Sequence, residues 1–372
     1  MIEAIAAQID NRILREDMRT IYQHLTAQEK DKLRDSTILL TGCGGFLGYY
    51  FMHFFAHYAE ELQIRRIIGL ENFLTGTKDW LDNLVASNPE VIQLHEFNVI
   101  TDSVEDIPGA AEADLVIHMA SIASPTFYRI YPIETVDANI TGLRRLLDFY
   151  ADKTLRGFLF FSSSEIYGDP FPEFIPTSEE YRGNVATIGP RACYDEAKRF
   201  GETLCYLFAQ KHAMPIGIAR PFNNYGPGMS INDKRLPADF AKAVVEGRDL
   251  EILSDGTPTR TFCYISDAIT GYLKVLLHGT FDVFNIGMDK PELSVREFAE
   301  FFNTQGKAIF NYQGQISFNT SHDKEYLTDN PNRRCPNISK ARQLLGYEPI
   351  IQVEDGIKRY LEFLYINQEQ AL

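Results

Sequence analysis

One junction near the start of the chain constrains the fold most. Ser36 to Thr41 (STILLT) is an apolar run with the length of a buried strand. GCGGFLG follows, with glycines at 42, 45 and 48, and YYFMHFFAHYAEEL then continues as an apolar helix. Strand, glycine turn and helix in this order let backbone approach a pyrophosphate, which sits against the helix N-terminus. Glycines alone also make ordinary tight turns; the flanking strand and helix are what point to a dinucleotide. Gly42, Gly45, Phe46, Leu47 and Gly48 are the expected contacts.

The alternation continues. IRRIIGL ends at Leu70, VIQLHEFNV near Asn98 and Val99, ADLVIHMA near Ala120, and GFLFFSS at Ser163, with helical periodicity from Ile133 to Tyr150 between the last two. This predicts an α/β fold, a Rossmann-type doubly wound parallel sheet with ligands at the carboxyl ends of its strands. Glu71 and Asn72 follow the second strand. An acid there accepts hydrogen bonds from an adenosine ribose and repels a 2′-phosphate, which favours NAD over NADP; a surface acid in a turn is the plain alternative.

After Arg220 the turns in FNNYGPGMS break the pattern. Helices are predicted at Leu236 to Glu246, SVREFAEFF, ISKARQLLGY and VEDGIKRYLEFLYI, with strands at EILSDG, Phe262 to Ile265 and FDVFNIG, a smaller C-terminal α/β lobe. Residues 1–35 read as a helical extension packed on the body or on a partner subunit.

Composition removes other classes. Lys+Arg number 36 against 51 Asp+Glu, a net charge of −15 that disfavours a nucleic-acid surface. Cys43, Cys193, Cys205, Cys263 and Cys335 are odd in number and scattered, with neither a disulfide framework nor a zinc spacing. The expectation is a cytoplasmic protein with no metal. No apolar run is long enough for a membrane span, and the N-terminus lacks a signal-peptide core.

The chemistry lies between Ser163 and Cys205. Tyr194 and Lys198 stand four apart in IGPRACYDEAKRFGETLC and share a helix face. An ammonium beside a phenol favours phenolate, so Tyr194 is a candidate general base, although such pairs also arise by chance. Ser163 could orient a substrate oxygen or merely satisfy backbone at a strand end, and Glu165 adds a carboxylate two residues on.

The ordered strings TGCGGFLG, HMASIAS, SSSEIYG, YDEAK, RPFNNYGPG and TRTFCYISD resemble the extended short-chain dehydrogenases/reductases, the NAD-dependent epimerase/dehydratase family, over roughly Ser36 to Leu364. ASIASPTFYRIYP, GNVATIGPRACYDEAKRFGETLC and NRRCPNISKARQLLGYEP are most similar to the UDP-glucuronate decarboxylase (UDP-xylose synthase) branch. The resemblance implies a 36–220 NAD-binding domain with the catalytic helix and a 221–372 mainly nucleotide-sugar-binding lobe. It implies catalytic roles for Ser163, Glu165, Tyr194, Lys198 and Arg334, and sugar-nucleotide contacts from Tyr128, Glu165, Asn223, Arg235, Arg260 and Arg334. Arg191, Arg235 and Arg333 are the weaker arginine candidates. NAD would touch the glycine turn, Glu71, Asn72, Thr75, Gly76, Asn98, Val99, Met119, Ala120, Ser121, Tyr194 and Lys198. The implied reaction is C4 oxidation, loss of CO₂ and re-reduction, in a homodimer. A 4-epimerase, a UDP-apiose/UDP-xylose synthase or a 4,6-dehydratase would share the first step, and a non-catalytic NAD-binding protein would share only the fold. Departures from the family pattern gather at the adenosine and nucleobase ends: Glu71 for aspartate, Thr77 for arginine, Asn98 for aspartate, Tyr49-Tyr50-Phe51 for Ser-His, and Leu236-Pro237.

Overall fold

The computed structural model describes residues 11–320, 328 and 331–370, so the expectation for residues 1–10 lies outside the described residues. Two helices open the chain, α1 (Arg12–His24) and α2 (Ala27–Leu33). Asn11 and Thr26 cap them by accepting backbone N–H groups of Ile13 and Glu29. The alternating half follows as β1 (Thr37–Thr41), α3 (Phe46–His57), β2 (Arg66–Glu71), α4 (Asp79–Ser87), β3 (Ile92–Glu96), β4 (Leu115–His118), α5 (Pro125–Ile130), α6 (Pro132–Asp137), α7 (Leu143–Tyr150), β5 (Gly157–Phe161), α8 (Ala192–His212) and β6 (Ile216–Pro221). Beyond it come β7 (Asn224–Tyr225), α9 (Leu236–Glu246), β8 (Leu250–Ile252), β9 (Thr259–Arg260), β10 (Cys263–Tyr264), α10 (Ile265–Leu277), β11 (Asp282–Ile286), β12 (Leu293–Ser294), α11 (Val295–Phe310), β13 (Ile316–Phe318), β14 (Arg333–Arg334), α12 (Ser339–Leu345) and α13 (Val353–Gln370).

The main sheet has seven parallel strands in the order β11-β6-β5-β4-β1-β2-β3. Its central strands are apolar throughout because helices cover both faces. Alternate residues feed two cores: Ile38 and Leu40, Leu159 and Phe161 face one, while Leu39, Phe158 and Phe160 face the other. The first core includes α1, α3, α10, α11 and α13; the second includes α7 and α8. Strand order reverses between β1 and β4, and a crevice opens there at the carboxyl ends of the strands.

Two details differ from the sequence expectation. FDVFNIG falls in the range expected as the smaller lobe, yet β11 is the outer strand of the main sheet, in register with β6 from Asp282↔Gly217 to Ile286↔Pro221. Its apolar residues serve a strand in either lobe, so only the long-range pairing decides. β11, within residues 221–372, therefore belongs to the main sheet. The helix expected from Ile133 to Tyr150 is broken by a π-helical turn at Ala138–Gly142. Buried Asn139 donates its amide to the Thr135 carbonyl at 2.7 Å, and Gly142 runs beneath Val99, where a Cβ would lie 2.7 Å from a methyl. Among the described residues no helix is long and apolar enough to cross a membrane.

Candidate active site

A cavity of about 890 Å³ runs along the carboxyl ends of the strands. Every residue expected to bind cofactor or substrate lines it, with Arg191 and, from α13, Phe363 and Leu364.

At one end lies the glycine turn. Gly42 has φ +72°, and a Cβ there would lie 2.8 Å from Ala120 backbone, so β1 and β4 meet as only glycine permits. Gly48 lets α3 pass the Cys43 carbonyl, which a Cβ would approach to 2.2 Å. No side chain caps α3 at Gly45, leaving the helix start open to an anion. Such a cradle fits a dinucleotide pyrophosphate, and Ser121 nearby has a buried hydroxyl with no hydrogen-bond partner.

Glu71 is more occupied than expected. Its extra methylene carries the carboxylate back to the turn, where Oε2 accepts from Gly44 N–H at 2.8 Å and Oε1 from Asn72 and Phe73 N–H at 3.0 Å each. Burial, set against these three donors, raises its pKa. A carboxylate has roughly four acceptor positions, so about one is left for a ribose hydroxyl, and bracing the turn is the main work visible here. Thr77 N–H donates to the Gly44 carbonyl at 3.0 Å and closes the same loop. The Asn98 side-chain oxygen likewise caps its own turn, accepting from Ile100 N–H at 3.0 Å.

The reactive group stands midway. Tyr194 sits in the first turn of α8, buried and stacked on Tyr128 with centroids 5.3 Å apart and planes 12° apart. Ser163, two residues past the end of β5, lies close enough to the Tyr194 phenol to lower its pKa, and its Oγ accepts Glu165 N–H at 3.2 Å. Lys198 donates to the Phe161 carbonyl at 2.6 Å, with Nζ 5.6 Å from the Tyr194 ring centroid.

The expectation that Lys198 pulls Tyr194 toward phenolate is not met in this site. Burial pushes Tyr194 up to about 12, against the Ser163 hydrogen bond and Arg235, which lower it. Burial also takes Lys198 down to about 7, weakening the charge meant to act on the phenol. This has a stability consequence. The folded value of Lys198 lies below its unfolded value near 10.4, so the unfolded chain holds the extra proton between about pH 7 and pH 10.4, and stability from this group rises with pH across that window. Wild type is expected to gain about 2–4 kcal/mol relative to Lys198→Met over this range. Urea titrations at several pH values test it; parallel pH profiles would rule it out.

Glu165 lies beside the reactive group, its N–H on Ser163 Oγ and its carboxylate on Arg191. Arg334 grips both oxygens with its two Nη atoms at 2.6 Å, and Arg191 Nη2 adds a third contact at 2.5 Å. Burial raises the Glu165 pKa, but the Arg191 and Arg334 guanidiniums overcome it and hold the group at about 2. It is a carboxylate at any working pH. Arg260 donates to the Thr259, Pro331 and Asn332 carbonyls at 2.8, 2.5 and 3.1 Å, and burial and Arg334 bring it down to about 9. Arg235 pairs with Asp233 at 2.5 Å and lies 5.8 Å from the Phe46 ring. Asn223, at φ +43°, donates to the Thr261 carbonyl at 2.8 Å.

Arg191, one of the weaker candidates, lines the cavity and pairs with Glu165. Its place three residues before Tyr194, in the same helical start, was the available signal. Nothing local marks Tyr49, Trp80 or Phe363, whose rings meet at the cavity only through the tertiary fold. Arg333, also a weaker candidate, is exposed and pairs with Glu292 at 2.6 Å outside this cavity.

Residues 38–287 match the model of the NAD dependent epimerase/dehydratase family. The chain is 35% identical to UDP-glucuronic acid decarboxylase 1 of Xenopus tropicalis over 338 residues, covering 90% of this chain and 73% of that protein. It is also 35% identical to UDP-glucuronic acid decarboxylase 6 of Arabidopsis thaliana over 323 residues, 86% of each chain. Among solved structures, UDP-glucuronic acid 4-epimerase from Bacillus cereus superposes with a TM-score of 0.73 at 24% identity, over 90% of this chain and all of that one, a likeness of fold. The glycine turn, the reversed strand order and a serine-tyrosine-lysine set at the crevice agree with these matches, and the chain belongs to the NAD dependent epimerase/dehydratase family.

Proposed function

We propose that this chain decarboxylates UDP-glucuronate to UDP-xylose with an NAD that is reduced and reoxidised within one turnover. The observation that carries this reading is the Glu165–Arg334 pair lining one cavity with Ser163, Tyr194 and Lys198 in a chain 35% identical to proteins named UDP-glucuronic acid decarboxylase.

The cradle at Gly42, Gly45 and Gly48 would hold the pyrophosphate, and Glu71 the ribose with what acceptor capacity it has left. Oxidised NAD, when bound, supplies the hydride acceptor for C4 and a positive charge that favours phenolate. Tyr194 removes the C4 hydroxyl proton while Ser163 holds that oxygen. The resulting 4-keto uronate is a β-keto acid: the C5–C6 bond breaks, CO₂ leaves, and its electron pair moves into the C4 carbonyl. Ser163 and Tyr194 are placed to stabilise the enolate oxygen. A proton is then added at C5, and reduction at C4 returns the proton from Tyr194 to the new hydroxyl. Glu165 acts as a fixed carboxylate facing the sugar, and Arg334 keeps it in place. Arg235, Asn223 and Arg260 are assigned to the nucleotide end, where cations suit a diphosphate.

We also infer a cytoplasmic homodimer. The five unpaired cysteines suit a reducing compartment, and Phe200, Tyr206 and Leu207 leave apolar surface exposed on α8. A one-chain mass in sedimentation would remove the dimer.

Incubation with UDP-glucuronate and NAD is expected to release CO₂ and form UDP-xylose, followed by NMR. UDP-galacturonate without CO₂ would overturn the decarboxylase reading in favour of a 4-epimerase.

A further inference from the structure

The reaction proposed above uses Tyr194 and Lys198 of α8 together with Ser163 and Glu165, which follow β5. The helix and that short segment must therefore keep a fixed distance. Part of the tie is Lys198 itself, which donates to the Phe161 carbonyl at 2.6 Å, at the end of β5. The next residue along the helix, Arg199, has no part in the chemistry described so far and does not line the cavity. Its Nη1 donates to two backbone carbonyls, Ile166 at 3.0 Å and Arg182 at 2.8 Å. Ile166 belongs to the 3₁₀ turn Ser164–Tyr167 and comes one residue after Glu165. Consecutive residues of one helix thus hold both ends of the stretch in which Ser163 and Glu165 lie.

The surrounding chain is shaped to permit this. Residues 182–184 pass directly over the turn, and two glycines make the room. Gly183 has φ +93°, and a Cβ there would come within 2.5 Å of the Ile166 carbonyl oxygen and 2.7 Å of Arg199 Nη1. Gly168 has φ +62°, and a Cβ there would lie 1.9 Å from the Asn184 carbonyl oxygen. Asn184 N–H donates to the Tyr167 carbonyl at 2.9 Å, so the overlying segment is sewn to the turn. Glu196, on the same helix, faces Arg199 Nε at 3.6 Å. A second tie starts at Glu202, three residues on and so on the same face of α8. Glu202 pairs with Arg220 at 2.8 and 2.6 Å, and Arg220 donates to the Tyr167 hydroxyl at 2.7 Å. Arg220 and Tyr167 are buried, whereas the Arg199 side chain is 37% exposed. Cutting the buried tie would disturb the core; cutting the half-exposed one acts on the turn.

We propose that Arg199 is a positioning residue for the reaction: it holds the Glu165 turn against α8, so that the Glu165 carboxylate and the Tyr194 phenol meet the same sugar. The proposal rests on the decarboxylase reading, in which Glu165 faces the sugar. Arg191 and Arg334 hold the carboxylate, and Arg199 holds the backbone that carries it. A misplacement of about 1 Å in such a group costs on the order of 100-fold in rate.

The test is Arg199→Met in the purified full-length protein, followed by CO₂ release from UDP-glucuronate with NAD. The rate at saturating substrate is expected to fall about 10- to 100-fold. KM, bound NAD and the urea midpoint should stay near wild type, because Arg199 is half-exposed and lies outside the cavity. In a Glu165→Gln background the same substitution should slow a single turnover by less than about threefold, since the group it positions is already gone. A rate within about threefold of wild type would overturn the proposal. A variant that unfolds early or loses NAD would overturn it too, by making Arg199 a support of the fold alone. The full loss repeated in the Glu165→Gln background would show that Arg199 does not act through Glu165. Wild type that releases no CO₂ would instead sink the decarboxylase reading.

Discussion

Tyr194→Phe is expected to keep its fold and to release CO₂ from UDP-glucuronate about 10²–10⁴ times more slowly than wild type, the usual worth of a positioned general base. The phenylalanine ring fits the same slot, because Tyr194 is held by burial and by its stack on Tyr128. Only the hydroxyl beside Ser163 is lost. NADH absorbance in a single turnover reads the C4 oxidation directly, so the loss should appear there and not only in product. The pH dependence gives a second signature. Burial places Tyr194 at about 12, so the phenolate fraction of wild type climbs through the neutral range as pH rises. The oxidation rate should climb with it, and the variant should show no such rise. A Tyr194→Phe rate within about tenfold of wild type would remove Tyr194 as the base.

How much of this was legible in the sequence depends on the range over which each signal acts. The glycine turn was readable because Gly48 answers to Cys43 within the same turn and Gly42 needs a positive φ there, although its approach to Ala120 comes from the longer-range pairing of β1 with β4. The strands were readable because a sheet covered on both faces needs unbroken apolar runs, as in TILLT and GFLFF. Tyr194 and Lys198 were readable because four-residue spacing on α8 is local geometry. The protonation of that pair was not, since burial comes from Tyr128, Phe160 and the rest of the fold, and burial outweighs the neighbouring ammonium. Glu71 was placed correctly at the end of β2 but its hydrogen bonds were not foreseen, because a glutamate's extra carbon reaches N–H groups that an aspartate would miss. The cluster of Arg191, Glu165 and Arg334 was not legible, because Glu165 lies 26 residues before Arg191 and Arg334 lies 143 residues after it, so no spacing connects the three.

The largest stability effect is expected from a residue outside the family-matched segment. Asp17, on α1, is fully buried, and its carboxylate joins three other elements. Tyr50 of α3 and Tyr264, at the start of α10, donate to Oδ2 at 2.7 and 2.8 Å, and Arg359 of α13 donates to Oδ1 at 2.7 Å. At the head of the same helix, Asn11 reaches the Phe363 carbonyl at 3.2 Å and the Asn367 side chain at 2.6 Å. Phe363 lines the cavity and meets Tyr49 edge-on, so the extension supports a cavity wall from behind. Asp17→Ala leaves the buried Tyr50 and Tyr264 hydroxyls without their shared acceptor and the half-buried Arg359 with Glu16 Oε2 at 3.1 Å as its remaining carboxylate partner, at a cost of about 2–4 kcal/mol. Urea unfolding followed by the fluorescence of Trp80, the single tryptophan, should show the midpoint falling with its slope unchanged. Adding Arg359→Met should cost less than it does in wild type, because half of its carboxylate partners are already gone. A single variant within about 1 kcal/mol of wild type would show that α1 merely rests on the body. Full additivity of the two substitutions would show instead that the Asp17–Arg359 pair is not what holds it there.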